Sequence, residues 1–362
     1  MMLFTRRAAL ASAGASLAAA CTQTSSEPAP SRDGIVAMSV EPRDPRFVTG
    51  HRPLPFAVQE IYPAEHKRRI HLAGGLLGEG GRVVRVSDRH IAYGLSQSTS
   101  PDATSELARL PAPRHHPYAV SHKGKLYLLG GFGTNPGAVN WIMSADTLVY
   151  DDAGDTWSAL KPAPAPHAEV VAASIGHSIH IVGGRKPKGA ANLAYGDHED
   201  TDRHLVYDAP SDTWMTAAPA LSARNSATGA VLHNGHWHVV GGRSVAGGPT
   251  DAHEVYDQKT DRWWNAAPMP KGSGAGGNAC GVIGGRLYVF GGEYFDNGGR
   301  VHPEVWEYNP ASDAWVAMPP MPTPRHGLGG VTIGNTIWLV GGAKKPSGSE
   351  TTDVVESFEV FV

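Results

Sequence analysis

Short runs of alternating apolar residues, each closing on a glycine doublet, recur along the chain. The clearest is Arg286-Leu-Tyr-Val-Phe-Gly-Gly292, followed by a second alternating run, Glu304-Val-Trp-Glu-Tyr308, and then Asp313-Ala-Trp315. Alternation at period two predicts half-buried strands. The doublets fall at 74–75, 130–131, 183–184, 241–242, 291–292 and 341–342, at spacings of 56, 53, 58, 50 and 50 residues. Tyr and Trp follow the middle four, always seven residues apart, as Tyr150/Trp157, Tyr207/Trp214, Tyr256/Trp263 and Tyr308/Trp315. A unit repeated at this period is too small to bury its own face and must stack on copies of itself.

Each full repeat divides into four strands. The first follows a Pro-rich turn and carries small residues, as in Gly327-Leu-Gly-Gly-Val-Thr-Ile333. The second ends on the doublet, as in Ile337-Trp-Leu-Val-Gly-Gly342, the third ends on Tyr, and a turn such as Asp151-Asp-Ala-Gly-Asp155 leads to the fourth, with its Trp. Small side chains suit crowding near an axis, and paired glycines permit close backbone approach or positive φ.

This order of Gly-Gly, Tyr and Trp resembles the kelch repeat, over roughly residues 45 to 362. The resemblance implies an all-β fold, a six-bladed kelch-type β-propeller. Repeat one lacks the Trp, and Gln97 to Ser105 reads as a looped insertion. Repeat six has Phe358 in the Tyr position and no fourth strand. Counting back from Gly75 puts the missing strand near Phe47-Val-Thr-Gly, so the N-terminal segment is expected to complete the last blade and close the ring without an open edge.

The first residues read as an address. Thr5-Arg6-Arg7 precedes a weakly apolar run from Ala8 to Ala20, so residues 1–20 form an export signal of twin-arginine type. Cys21 leaves two readings open, a lipidated envelope anchor or simple cleavage after Ala20. Residues 21–33 are polar and Pro-rich, a flexible leader, and residues 34–362 hold the propeller. Localisation follows as the periplasm or envelope of a bacterium. If Cys21 is lipidated, Cys280 is a lone thiol, and its small-residue neighbours make it a packed strand residue.

Charge is mild, 31 basic against 34 acidic side chains, with no basic stripe for nucleic acid and no spanning apolar stretch in the body. Nor does the chain hold a Gly-x-Ser-x-Gly elbow, a phosphate-cradling loop or a His-Glu-x-x-His helix. A monomer is expected, with no cofactor.

Topology selects one face. The loops before the first strand and after the second share one rim of the channel. They carry Arg114, His115, His116, His167, Arg224, Asn225, Asn278, Arg325 and His326, and after the doublets Phe132, Arg185, Lys186, Arg243, Glu293, Tyr294, Lys344 and Lys345. Arg114, His115, His167, Arg185, Arg224, Arg243, Glu293, Arg325 and His326 are the candidate ligand residues. They make a cationic mouth with one carboxylate, suited to an acidic small molecule, a glycan or a protein. The competing reading ties these side chains from blade to blade. The best histidine cluster, Asp197-His-Glu-Asp-Thr-Asp-Arg-His204, has irregular spacing, and no metal is expected.

Two functions are open. One is a binding or scaffold protein. The other is suggested by a resemblance to the six-bladed N-acetylneuraminate epimerases (mutarotases) in blade count, size and export. That resemblance implies general acid/base work with Glu293 and Arg243, although fold alone does not imply function.

Overall fold

A computed structural model describes residues 43–95, 104–134, 139–245, 248–295 and 298–361. The expected export signal, the leader, Cys21 and residues 34–42 lie outside the described residues. Among the described residues, six four-stranded antiparallel sheets form. Blade 5 shows the plan: Ala279–Ile283, Arg286–Phe290, Val305–Asn309 and Ala314–Met318, in that order from the inside out. Blades 1 to 4 start on inner strands Ala64–His66, Tyr118–His122, Val171–Ile175 and Thr228–Val231. Each inner strand touches the inner strands of both neighbours, and blade 6 touches blade 1. The ring is closed.

Blade 6 closes as expected. Its strands Gly329–Ile333, Thr336–Val340 and Val355–Phe361 are completed by Arg43–Val48, with Phe47 opposite Phe358. Phe47 packs edge-on against Phe358 and Phe290, with ring centroids 5.0 and 6.3 Å away. Blade 1 requires a correction. Thr104–Leu107 pairs with His90–Tyr93 as its fourth strand, so Ser105 belongs to the sheet rather than to an insertion. Residues 96–103 lie outside the described residues.

The repeated residues bind one blade to the next. The Tyr308 hydroxyl donates to Asp313 Oδ1 at 2.7 Å, and that oxygen also accepts the Ala267 N–H of blade 4 at 2.8 Å. The Trp315 indole N–H donates to the Ala267 carbonyl at 2.9 Å, so one residue of the neighbour is held at both polar groups. Blades 2, 3 and 4 repeat this with Asp155 and Trp157 on Ala108, Asp212 and Trp214 on Lys161, and Asp261 and Trp263 on Ala218. Blade 1, which lacks the Trp, uses its Tyr93 hydroxyl directly on the Arg52 carbonyl at 2.7 Å.

The doublet does the same nearer the axis. The second glycine of each pair donates its N–H to a carbonyl of the next blade: Gly75 to Arg114, Gly131 to His167, Gly184 to Arg224, Gly242 to Ala275, Gly292 to Arg325 and Gly342 to Val58. The last of these crosses the closure. At Gly291, with φ at 61°, an added Cβ would lie 2.2 Å from the Arg325 carbonyl oxygen, so no larger residue fits.

Between strands two and three of blades 1, 3 and 4, buried imidazoles pair. His71 meets His90 at 3.0 Å, His180 meets His204 at 2.9 Å and His238 meets His253 at 2.8 Å. His204 and His253 donate Nδ1–H to carbonyls, so their Nε2 accepts from the partner. Burial, aided by the neighbouring imidazole, lowers His71, His180 and His238 to about 3. Burial lowers His90, His204 and His253 to about 4. The unfolded chain therefore takes up these protons first. Stability is full above the ordinary histidine value of 6.5 and is lost as pH falls below it toward the folded values. Chemical denaturation should show unfolding free energy dropping steadily between about pH 6.5 and about pH 5, above most carboxylate titration. A flat profile across that window contradicts the neutral pairs.

Candidate functional site

Two residues past the carbonyl that each doublet grips, the chain turns through positive φ in every blade. The residues are Glu60, His116, Glu169, Ser226, Gly277 and Gly327, with φ between 52° and 69°. Their backbones link around the axis: His116 N–H to the Glu60 carbonyl, Ser226 to Glu169, Gly277 to Ser226, Gly327 to Gly277 and Glu60 to Gly327. Left-handed geometry is disfavoured for glutamate and histidine, so holding three charged or titratable side chains there is backbone strain at a mouth.

Arg185, Arg243 and Glu293, directly after doublets, meet this ring. Arg243 donates to Glu293 Oε1 at 2.6 Å and lies 3.8 Å from Glu169 Oε1. Arg185 donates to Glu169 Oε2 at 3.4 Å and to the Tyr195 carbonyl at 2.8 Å, its guanidinium 3.7 Å from the Tyr195 ring centre. Glu60 Oε2 lies 2.9 Å from His116 Nε2. Burial pushes the Glu60 carboxyl up, but His116, His326 and Arg243 outweigh it and hold it down to about 2. Burial disfavours the Arg243 charge, but Glu169 and Glu293 more than offset it, and its proton is held more tightly than usual. A cavity of about 300 Å³ opens here, with Trp141, Tyr195 and Phe295 as walls and Glu60, His116, Arg243 and Glu293 among its polar lining.

The structure brings Arg185, Arg243, Glu293 and His326 together at the mouth. It does not bring the others. Arg114 is buried on Asp146 at 2.8 Å, Arg224 on Glu254, and Arg325 on Glu356 at 2.9 Å. His167 is buried, its Nδ1 donating to the Ala165 carbonyl at 3.2 Å. His115 packs between Phe132 and Trp141, its Nδ1 2.7 Å from that of His116, and burial lowers it to about 3. The expectation of a cationic mouth with one carboxylate is therefore corrected. Three carboxylates, Glu60, Glu169 and Glu293, meet two guanidiniums, because the other arginines turn back into the blades.

Glu60 and Glu169 escaped the sequence reading. Aligning the repeats two residues past Arg114, His167, Arg224 and Arg325 finds His116, Glu169, Ser226 and Gly327. The same count after Val58 finds Glu60. The Asp197–His204 loop carries its own bonds: Asp197 accepts from Leu193 and Ala194 N–H, Asp200 from Asn225, and His204 pairs with His180. Cys280 faces the central channel, a free thiol that burial pushes up to about 11.

Comparison with known proteins agrees with this fold. The Kelch motif matches residues 275–322. Kelch-like protein terF of Aspergillus terreus is 27% identical over 297 residues, covering 80% of this chain and 62% of that protein. A solved structure titled "Structure of YjhT" superposes with a TM-score of 0.70 at 18% identity, covering 86% of this chain and 99% of its own. The chain carries the Kelch motif and has the fold of a kelch-type β-propeller. Human Kelch-like protein 23 is 26% identical over 231 residues, covering 64% of this chain and 38% of its own length. Beta-scruin of Limulus polyphemus is 30% identical over 210 residues, 57% and 22% of the two chains. The propeller thus spans less than two thirds of these curated relatives. Kelch-repeat propellers typically mediate protein interactions.

Removing Arg243 leaves Glu169 and Glu293 buried without their shared cation. Arg243→Ala should cost on the order of 3 kcal/mol at neutral pH, and adding Glu293→Gln should recover a part of that. Denaturant unfolding of the four proteins of the cycle measures it. Strict additivity would show that the pair does not interact.

Proposed function

We propose that the mouth binds a small polyhydroxylated ligand, a sugar or the end of a glycan, on an exported protein. The carrying observation is the pairing state of the cavity. Arg185 and Arg243 are both engaged by the protein's own carboxylates, while carboxylate oxygens and three aromatic side chains face a space of about 300 Å³. Carboxylates accept hydrogen bonds from hydroxyls, and aromatic faces pack on the apolar face of a sugar ring. Such a site favours neutral sugars over acidic ones, since a ligand carboxylate meets the like charges of Glu60 and Glu293. The twin-arginine leader supports export of this binding module.

A second reading, exchange of sugar anomers, is favoured by one arrangement. Glu60 and His116 form a hydrogen-bonded couple at 2.9 Å, and Glu293 lines the same cavity. One carboxylate takes the proton of the anomeric hydroxyl while the His116 couple gives a proton to the ring oxygen. The ring C–O bond breaks to an open-chain aldehyde, and reversal closes either anomer.

Calorimetric titration of neutral, amino and acidic sugars tests the primary reading. A neutral sugar should bind, and Glu293→Gln should weaken it about tenfold, the loss of one charged hydrogen bond. Binding of acidic sugars alone contradicts the proposal, as does silence across the panel. Any sugar that binds is then followed by NMR for accelerated anomer exchange, which decides the second reading.

A further inference from the structure

His326 sits at the seam of blades 6 and 1, fully buried. Its Nε2 lies 2.9 Å from the Lys345 carbonyl and 3.1 Å from the Ser347 carbonyl. Both partners only accept, so Nε2 carries the hydrogen. In the neutral ring, Nδ1 therefore presents a lone pair. Among the described residues that atom has no hydrogen-bond partner. Two carboxylate oxygens lie close to it, Glu293 Oε2 at 3.4 Å and Glu60 Oε1 at 3.6 Å. A lone pair facing two anionic oxygens is repulsive unless something positive lies between them.

A proton on Nδ1 is one solution, but charge-assisted N–H···O bonds close to about 2.7–2.9 Å. These separations are longer. They fit an ion instead. Two donors about 2.1–2.2 Å from one metal, near the tetrahedral angle, lie about 3.4–3.6 Å apart. One atom from each of Glu60, Glu293 and His326 falls within 4.8 Å of the others. The surroundings are those of a built site. The second oxygen of Glu60 is held by His116 at 2.9 Å, that of Glu293 by Arg243 at 2.6 Å, and Glu293 Oε2 also accepts the Ser347 N–H at 2.8 Å. Outer partners of this kind orient ligands and fix the histidine tautomer. Three carboxylates against two guanidiniums also leave negative charge for a cation to balance.

We propose that Glu60, Glu293 and His326 hold one divalent transition-metal ion at the channel mouth, with its remaining coordination positions open to the cavity. One imidazole and two carboxylates suit Zn²⁺ or Mn²⁺. Glu60 and Glu293 line the cavity, so a ligand hydroxyl can reach the open positions directly.

The test uses the full chain, dialysed against EDTA and titrated without sugar. Mn²⁺ is followed by loss of the free-ion electron paramagnetic resonance signal, and Zn²⁺ by calorimetry. One ion per chain should bind, and Glu60→Gln and His326→Ala should each weaken it about tenfold or more. Circular dichroism melts accompany both variants; Glu60→Gln keeps the side-chain shape and decides the question if His326→Ala fails to fold. Absence of saturable uptake overturns the proposal. Uptake of unchanged affinity in Glu60→Gln also overturns it, because the ion then sits elsewhere.

Discussion

The blade-to-blade hydrogen bond from the second glycine of each doublet is the constraint on which the mouth depends. It occurs six times, and the sixth, from Gly342 to the Val58 carbonyl, joins the end of the ring to its beginning. Only glycine reaches it, because the doublet has positive φ and atoms of neighbouring residues lie where a Cβ of its second glycine would go. Farther out, the Tyr–Asp–Trp set holds the same neighbour by a carbonyl and an N–H together. Each hydrogen bond contributes about 1 kcal/mol net. Repetition around a closed ring converts that modest value into a rigid frame.

That frame makes the charge cluster at the axis tolerable. Glu60, His116 and Glu169 sit at positive φ and are largely buried, an unfavourable set of choices if taken singly. The ring holds their backbones to one another and delivers Arg185, Arg243 and Glu293 from the strand ends above them. Arg114, Arg224 and Arg325 do different work: they anchor turns to Asp146, Glu254 and Glu356 within their own blades. Arginines before the first strand thus hold blades, and those directly after a doublet shape the mouth.

Much of the frame is legible in the amino-acid order, because the doublets, Tyr and Trp recur with fixed function. The closing strand is legible too, since repeat six lacks a fourth strand and the register points to Phe47. Thr104–Leu107 is not, as it carries no Trp to mark it and follows a long polar stretch. The mouth is legible only in part. Position around the ring can be counted, but the direction of a long side chain depends on partners about 30 residues away, such as Glu254 for Arg224 and Glu356 for Arg325. Glu60 has no Arg or His beside it to flag its place. Its position shows only when the positive-φ residues of the blades are superposed.

The central claim is that a closed ring, rather than any single blade, carries the stability and sets the mouth. Thermal melting of the chain lacking residues 1–49, beside the full chain, tests it most directly. That deletion removes Arg43–Val48, its pairing with Val355–Phe361 and the Phe47 contacts, and leaves an unpaired edge. The account predicts aggregation or a melting temperature lower by about 10 °C or more. An unchanged melting temperature with a soluble monomer would contradict it.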